Sequence, residues 1–124
     1  MNCSSMSKYA AMLANRGVSV VTKDRVLSSE VVKNVLCVMY SAGMYDYSGR
    51  WAYHVGLPAK SGVSGCIMAV VPNMFGICVY SPRLDKIGNL STNKSSKIWY
   101  LLWGRLCARS LDDIYCFQYG TTPD

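Results

Sequence analysis

The sequence predicts an α+β fold in which helices pack on an antiparallel β-meander. Two apolar segments with helical spacing come first, and short apolar segments separated by Gly and Pro follow them. The chain has 124 residues, of which 51% are hydrophobic and 16% are charged. This composition is typical of one small domain with a buried core and excludes a disordered chain.

Two helices are predicted in the first part of the chain. Residues 7–15 are rich in Ala, Leu and Met, and Gly17 follows them as a stop signal. A second helix is predicted to begin after Ser28, whose hydroxyl can cap it, and to end at Gly43. One face of that helix is expected to point toward the core, and it carries Val31, Val35, Val38 and Met39.

Three strands are predicted to follow. The aromatic residues 51–56 alternate in part, which favours a first strand, and residues 60–65 are interpreted as the turn after it. Residues 66–71 are apolar on both faces, as a central strand would be. A Pro-Asn turn then leads to a third strand over residues 77–80.

The character of the sequence changes near residue 90. Residues 91–97 form a polar linker, and residues 98–110 are apolar nearly all round, which is compatible with a helix. This segment shows no periodicity that fits the preceding sheet. We therefore divide the chain into a domain over residues 1–89 and a divergent tail over residues 90–124.

The net charge of +6 raises the question of a nucleic-acid partner. The basic residues are scattered singly and form no run or basic helical face, so we expect no nucleic-acid binding, and a basic binding module is the least supported function. No apolar run reaches about 18 residues, so we expect no membrane span.

The cysteines and the lone histidine argue against a metal site. Six cysteines include no C-x-x-C pair, and His54 is the only histidine, so no metal or other cofactor is expected. Cys37, Cys66 and Cys78 lie in apolar runs and are interpreted as buried thiols. Reduced thiols and the lack of an apolar leader favour the cytoplasm, with the mitochondrion as the alternative.

Residues 43–65 concentrate the polar chemistry of the chain. A lysine, two serine hydroxyls and several glycines lie close together after a run of aromatic residues. A cation, hydroxyls and unobstructed backbone N–H groups can together hold a carboxylate or a developing oxyanion. These residues are therefore the candidate site.

Three positions in this segment have both a functional and a structural interpretation. Tyr45, paired with a lysine, could pass a proton for a hydroxyl nucleophile, or it could be a core tyrosine with a satisfied hydroxyl. Lys60, Ser61 and Gly62 match the K-[ST]-G element of penicillin-recognising serine enzymes, or they form a solvated turn. His54 is interpreted as a packed or edge histidine rather than a catalytic base.

The string from residue 43 to residue 65 resembles the C-terminal part of the glutaminase family. Members of that family are serine-dependent amidohydrolases that convert L-glutamine to L-glutamate and ammonia. The resemblance continues upstream through residues 10–18 and 25–28, and downstream through residues 70–89. It therefore covers residues 1–89.

The resemblance implies a partial β-lactamase/transpeptidase-like fold, also called DD-peptidase-like, and a homo-oligomeric enzyme that needs no cofactor. In the family mechanism a serine, assisted by lysine and tyrosine, attacks the side-chain amide, and water cleaves the glutamyl-enzyme. Tyr45 matches the tyrosine that contacts substrate and helps proton transfer. Val63 matches the position whose backbone N–H helps form the oxyanion hole, beside the strand motif of Lys60, Ser61 and Gly62.

The sequence also departs from the family pattern. The family's Ser-x-x-Lys nucleophile has no counterpart here, since neither Ser5 nor Ser91 falls at its position. Arg16 replaces a common glycine, and Cys66 stands where another glycine is usual. We therefore expect a glutaminase fragment that shows no turnover by itself. The alternative is a non-catalytic remnant or interaction subunit that keeps the fold.

Overall fold

A β-sheet with helices on both faces forms the framework of the protein. The computed structural model describes residues 2–80, residue 86 and residues 115–118. The elements are α1 (Cys3–Ala14), α2 (Ser29–Ala42), a 3-10 turn (Tyr45–Tyr47), α3 (Ser48–His54), β1 (Ala59–Gly62), β2 (Cys66–Val71), β3 (Phe75–Tyr80) and β4 (Tyr115–Gln118).

The strands lie in the order β1-β2-β3-β4. The first three are antiparallel, with Ser61 opposite Ile67 and Ile67 opposite Val79, and β4 pairs parallel to β3. The predicted α+β meander is confirmed, and β4 is an addition from the segment that was predicted to be a divergent tail. The linker predicted at residues 91–97 and the helix predicted at residues 98–110 lie outside the described residues.

The helix ends follow the capping residues in the sequence. Helix α1 begins at Cys3 rather than at residue 7, because Asn2 caps it by accepting a hydrogen bond from the Ser5 N–H at 2.9 Å. Ser28 caps α2 as predicted, and its hydroxyl accepts from the Val31 N–H at 3.3 Å. Gly43 ends α2, also as predicted.

The face of α2 that was predicted to point toward the core is the wrong one. Only Met39 of that face is buried, and the others are exposed by 36–64%: Val31, Val35 and Val38. The face that packs inward instead carries Val32, Leu36 and Met39, at i, i+4 and i+7. Both faces are apolar, so helical periodicity alone could not distinguish them.

The strand predicted at residues 51–56 is also wrong, because this segment lies in and just after α3. Met44, Ser48 and Trp51 are buried at i, i+4 and i+7, whereas Tyr53 is 86% exposed. The Trp51 indole N–H donates to the Leu57 carbonyl oxygen at 2.8 Å. Burial of one helical face around Trp51 thus outweighs the strand preference of the aromatic residues.

The first strand is β1, in a segment that was predicted to be a turn. Ala59 and Ser61 are fully buried and Lys60 is exposed, which is the alternation of a half-buried strand. The actual turn is limited to residues 63–65. Small and polar residues form this strand because they pair with the strongly apolar β2.

Each face of the sheet has its own core. One face packs against the segment from the 3-10 turn to β1, and its members include Met44, Trp51, Leu57, Ile67, Ala69, Ile77 and Val79. The other packs against α1 and α2, and its members include Ala10, Leu13, Val32, Met39 and Val70. Among the described residues, no helix is long and apolar enough to cross a membrane.

Candidate functional site

The end of α2 lies directly against the outer edge of β1. The Ser61 N–H donates to the Gly43 carbonyl oxygen at 2.9 Å. A Cβ atom at Gly43 would lie 1.7 Å from the Ala59 carbonyl oxygen and 2.3 Å from the Met39 carbonyl oxygen. A residue without a side chain is therefore required, and this close approach sets the position of Tyr45 beside β1.

Tyr45 has a left-handed backbone conformation, with φ of 51°. Such a conformation costs a non-glycine residue about 1 kcal/mol. The buried Ser48 hydroxyl supports it, because it accepts from the Met44 N–H at 2.9 Å and donates to the Tyr45 carbonyl oxygen at 2.7 Å. The Tyr45 side chain remains 43% exposed, so it is not a core tyrosine.

Lys60 brings a cation to Tyr45. Its Nζ lies 4.8 Å from the centroid of the Tyr45 ring, within cation–π range, and it also donates to the Ser61 carbonyl oxygen. An exposed contact of this kind is worth about 0.5–1 kcal/mol. The structure thus brings together the predicted Tyr–Lys pair, with the lysine against the ring face.

Ser61 follows Lys60 in β1. Its side chain is fully buried, and among the described residues its Oγ has no hydrogen-bond partner. A buried hydroxyl in this state is unfavourable by about 1–3 kcal/mol. Since the hydroxyl faces the interior, Ser61 is not an accessible nucleophile in this conformation.

Val63 is the first residue of the turn that joins β1 to β2. The turn is closed by the Gly65 N–H, which donates to the Gly62 carbonyl oxygen at 2.9 Å, and Gly65 has a left-handed φ of 86°. The donor that closes this turn is the Gly65 N–H and not the Val63 N–H. The Val63 side chain is 74% exposed and leaves the backbone approachable.

The remaining candidates lie apart from this arrangement. His54 is exposed at the end of α3, and its ring meets the Tyr53 ring edge-on at 5.0 Å between centroids. Ser5 and Lys8 line a groove of about 430 Å³ with Tyr9, and this groove includes none of the predicted site residues. The chance Ser-x-x-Lys match is therefore not assembled with Tyr45.

The cysteines differ from the sequence interpretation. Of these three cysteines, Cys37 is exposed and Cys66 is half-buried, so only Cys78 is the fully buried thiol that was expected. Cys66 and Cys78 also lie in contact, which sequence reasoning missed. Cys66 begins β2 and Cys78 lies in the middle of β3, so their contact depends on the register of the two strands, which local sequence pattern does not determine.

The comparisons with known proteins agree on one family. The family model described as Glutaminase matches residues 1–96, the N-terminal part of this chain. A glutaminase of Nostoc sp. is 55% identical over 89 residues, covering 72% of this chain and 27% of that protein. The mitochondrial liver isoform of rat glutaminase is 56% identical over 89 residues, covering 72% of this chain and 15% of that protein.

Solved structures give the same result. A Bacillus subtilis glutaminase, in covalent complex with 5-oxo-L-norleucine, matches with a TM-score of 0.76 and 33% identity, over 84% of this chain and 37% of that one. A crystal structure of Mglu in its glutamate form matches with a TM-score of 0.76 and 37% identity, over 86% of this chain and 24% of that one. These matches confirm the predicted β-lactamase-like fold class. The chain spans 15–27% of the length of the curated relatives named above.

Proposed function

This chain belongs to the glutaminase family, and we propose that it forms part of a glutaminase active site. The reaction is hydrolysis of the side-chain amide of L-glutamine to L-glutamate and ammonia. The observation that carries this proposal is the placement of Tyr45 beside Lys60 by the contact between Gly43 and Ser61. The proposed domain boundary at residue 89 leaves all of these residues in the family-like part.

Tyr45 is proposed to contact substrate and to transfer a proton. Its phenol is accessible, and its backbone is held in an unusual conformation by Ser48, which is a common feature of functional positions. Lys60 orients the ring through its face. Lys60, Ser61 and Gly62 act as the supporting strand, which sets the Tyr45 ring at the edge of the sheet.

The Val63 N–H is proposed as an oxyanion donor. When a hydroxyl oxygen attacks the amide carbon, the carbonyl oxygen becomes negatively charged, and a fixed backbone donor stabilises it. The C–N bond then breaks, the departing nitrogen takes a proton and leaves as ammonia, and water cleaves the ester to release L-glutamate. The turn closed by Gly65 holds the backbone at Val63, and the Val63 N–H is not the donor that closes it.

We propose that no residue of this chain is the family's serine nucleophile; Ser91 lies outside the described residues. Ser61 is buried, and Ser5 lines a separate groove. For this reason we expect no turnover from the chain alone. The same two observations favour the second candidate, a non-catalytic subunit that keeps the fold and acts by interaction.

An ammonia-release assay on the purified chain tests the missing nucleophile. We expect no release of ammonia above the rate measured in buffer without protein. Turnover that persists in Ser5→Ala and Ser91→Ala variants would show that another hydroxyl of this chain is the nucleophile.

NMR titration with L-glutamate separates the two candidate functions. A partial active site predicts shift changes at Tyr45 and Val63, and Val63→Pro should reduce them at least ~10-fold, because proline lacks the N–H and fits the first position of this turn. Ser64→Ala, one residue along in the same turn, is the matched control. An interaction subunit predicts no response at either residue.

A further inference from the structure

Two cysteine side chains on neighbouring strands are in direct contact. Cys66 begins β2, and Cys78 lies on β3. The register pairs Cys66 with Tyr80 and Met68 with Cys78, so the two cysteines are diagonal neighbours on the same face of the sheet. Their Sγ atoms are 3.1 Å apart.

The surroundings make the two thiols unequal. Cys78 is fully buried, whereas Cys66 is half-buried at the start of its strand, next to the turn at residues 63–65. The Cys3 thiol lies nearby and donates to the Cys78 carbonyl oxygen at 3.2 Å. Within the described part of the chain, no group of three or more His, Cys, Asp or Glu residues is placed to hold a metal ion.

The contact also gives the two thiols different pKa values. The hydrogen bond from Cys78 lowers the pKa of Cys66 from 9.0 to about 7, against the opposing effect of burial. The same bond, together with burial, raises the pKa of Cys78. At neutral pH the accessible sulfur is therefore the one that becomes the thiolate, which is the nucleophilic form.

We propose that Cys66 and Cys78 form a peroxide-sensitive dithiol that closes reversibly to a disulfide. The Cys66 thiolate attacks one oxygen of a hydroperoxide; an S–O bond forms, the O–O bond breaks, and the leaving oxygen takes a proton. The Cys78 sulfur then attacks the sulfenic sulfur of Cys66, the S–S bond forms, and the S–O bond breaks with loss of water. The dithiol loses two electrons and two protons to the peroxide.

The two sulfur atoms must approach each other for the disulfide to form. A disulfide needs a sulfur separation of about 2.05 Å, so the two Sγ atoms approach by roughly 1 Å. Cys66 pairs through its backbone with Gly62, at the other end of the turn that carries Val63. The disulfide would therefore form at the base of the proposed oxyanion turn, although its formation does not depend on glutaminase activity.

Peptide mapping of the full reduced chain tests this pairing. The chain is treated with hydrogen peroxide, blocked with N-ethylmaleimide and digested without reduction by chymotrypsin, which can cleave at Phe75 between the two cysteines. We expect a Cys66–Cys78 cross-link, with a mass lower by two hydrogen atoms, that dithiothreitol reverses. A Cys3–Cys78 cross-link, or a bond between Cys78 and Cys116 of the parallel neighbour β4, would overturn the assignment.

Variants test the roles of the two sulfurs. Cys66→Ser should abolish the cross-link and slow peroxide-dependent thiol loss at least ~10-fold, because the reactive thiolate is removed. Cys66→Ala repeats the test if the serine variant fails to fold. Cys37→Ser removes an exposed cysteine of α2 and should leave the cross-link unchanged. Equal loss of reactivity in Cys37→Ser, or accumulation of sulfinic acid at Cys66 without a cross-link, would contradict the proposal.

Discussion

The Ser61 N–H donates a hydrogen bond of 2.9 Å to the carbonyl oxygen of Gly43, and this bond joins the end of α2 to the edge of β1. It has two consequences. It covers part of a strand edge that would otherwise expose its polar backbone groups. It also places Tyr45 beside Lys60. Tyr45 follows Gly43 by two residues, and Lys60 directly precedes Ser61.

Replacing Gly43 with alanine should strongly destabilise the fold. The new Cβ would meet the Ala59 carbonyl oxygen at 1.7 Å, and the atoms nearest to it are all backbone atoms, so no side chain can move aside. We expect a loss of about 3 kcal/mol or more in the free energy of unfolding, measured by urea denaturation.

Gly49→Ala is the matched control for that substitution. A Cβ at Gly49 has no neighbour within 4 Å, and the residue lies in helix α3. The expected change is between zero and a gain of about 1 kcal/mol, because alanine favours helix. Equal losses in the two variants would contradict the close approach at Gly43.

Trp51→Ala tests whether residues 48–54 form a packed helix rather than a strand. Trp51 is 2% exposed and bonded to Leu57, so its truncation should cost about 3–5 kcal/mol. Tyr53→Ala should change stability by less than about 0.5 kcal/mol, because Tyr53 is 86% exposed. In a strand, residues 51 and 53 would share a face, and thermal denaturation would then show similar losses for both.

Ser61→Ala should leave the fold as stable as before or stabilise it by about 1 kcal/mol. The substitution removes a buried hydroxyl that has no hydrogen-bond partner among the described residues. Chemical denaturation of the two chains side by side measures the difference. A loss above about 1 kcal/mol would instead indicate that the hydroxyl has a partner in solution.

The Cys66–Cys78 pair should make stability depend on pH. Cys66 has a folded pKa of about 7, below the ordinary 9.0, so the unfolded chain binds more protons between these values and stability rises with pH across that window. Above pH 9 the direction reverses, because Cys78 keeps its proton in the folded state after both thiols ionise in the unfolded chain. Stability therefore falls as pH drops from about 9 through 7.

Urea midpoints at pH 7, 8 and 9 under reducing conditions check this dependence. The reduced wild-type chain should gain stability over this range relative to Cys66→Ser, in which the thiolate is absent. Cys37→Ser, which leaves the pair intact, should follow the wild type. A pH profile that Cys66→Ser does not alter would show that the pair does not set it.

Local signals in the sequence were sufficient for several elements. Ser28 and Gly43 mark the ends of α2 through capping chemistry, which acts within a few residues. The uniformly apolar β2 follows equally from composition, since a strand buried on both faces has no polar side. The odd motif at residues 43–65 was enough to identify the family.

The wrong predictions fall where two local patterns explained the same residues equally well. Helix α2 has two apolar faces, and contact with α1 and β2 determines that Val32 rather than Val31 is buried. Residues 48–54 favour a strand by aromatic content, but packing against the sheet buries Trp51 on one helical face. Such choices depend on partners distant in sequence.

The sequence by itself determined the family, the α+β class, and the identity of the residues that carry the proposed chemistry, because these depend on residue type and short-range spacing. The tertiary structure decided which residues meet. The contact of Lys60 with the Tyr45 ring and the contact of Cys66 with Cys78 both arise from strand register and from the approach of Gly43 to β1. Register is a property of paired segments, so it is set only when the strands and helices pack.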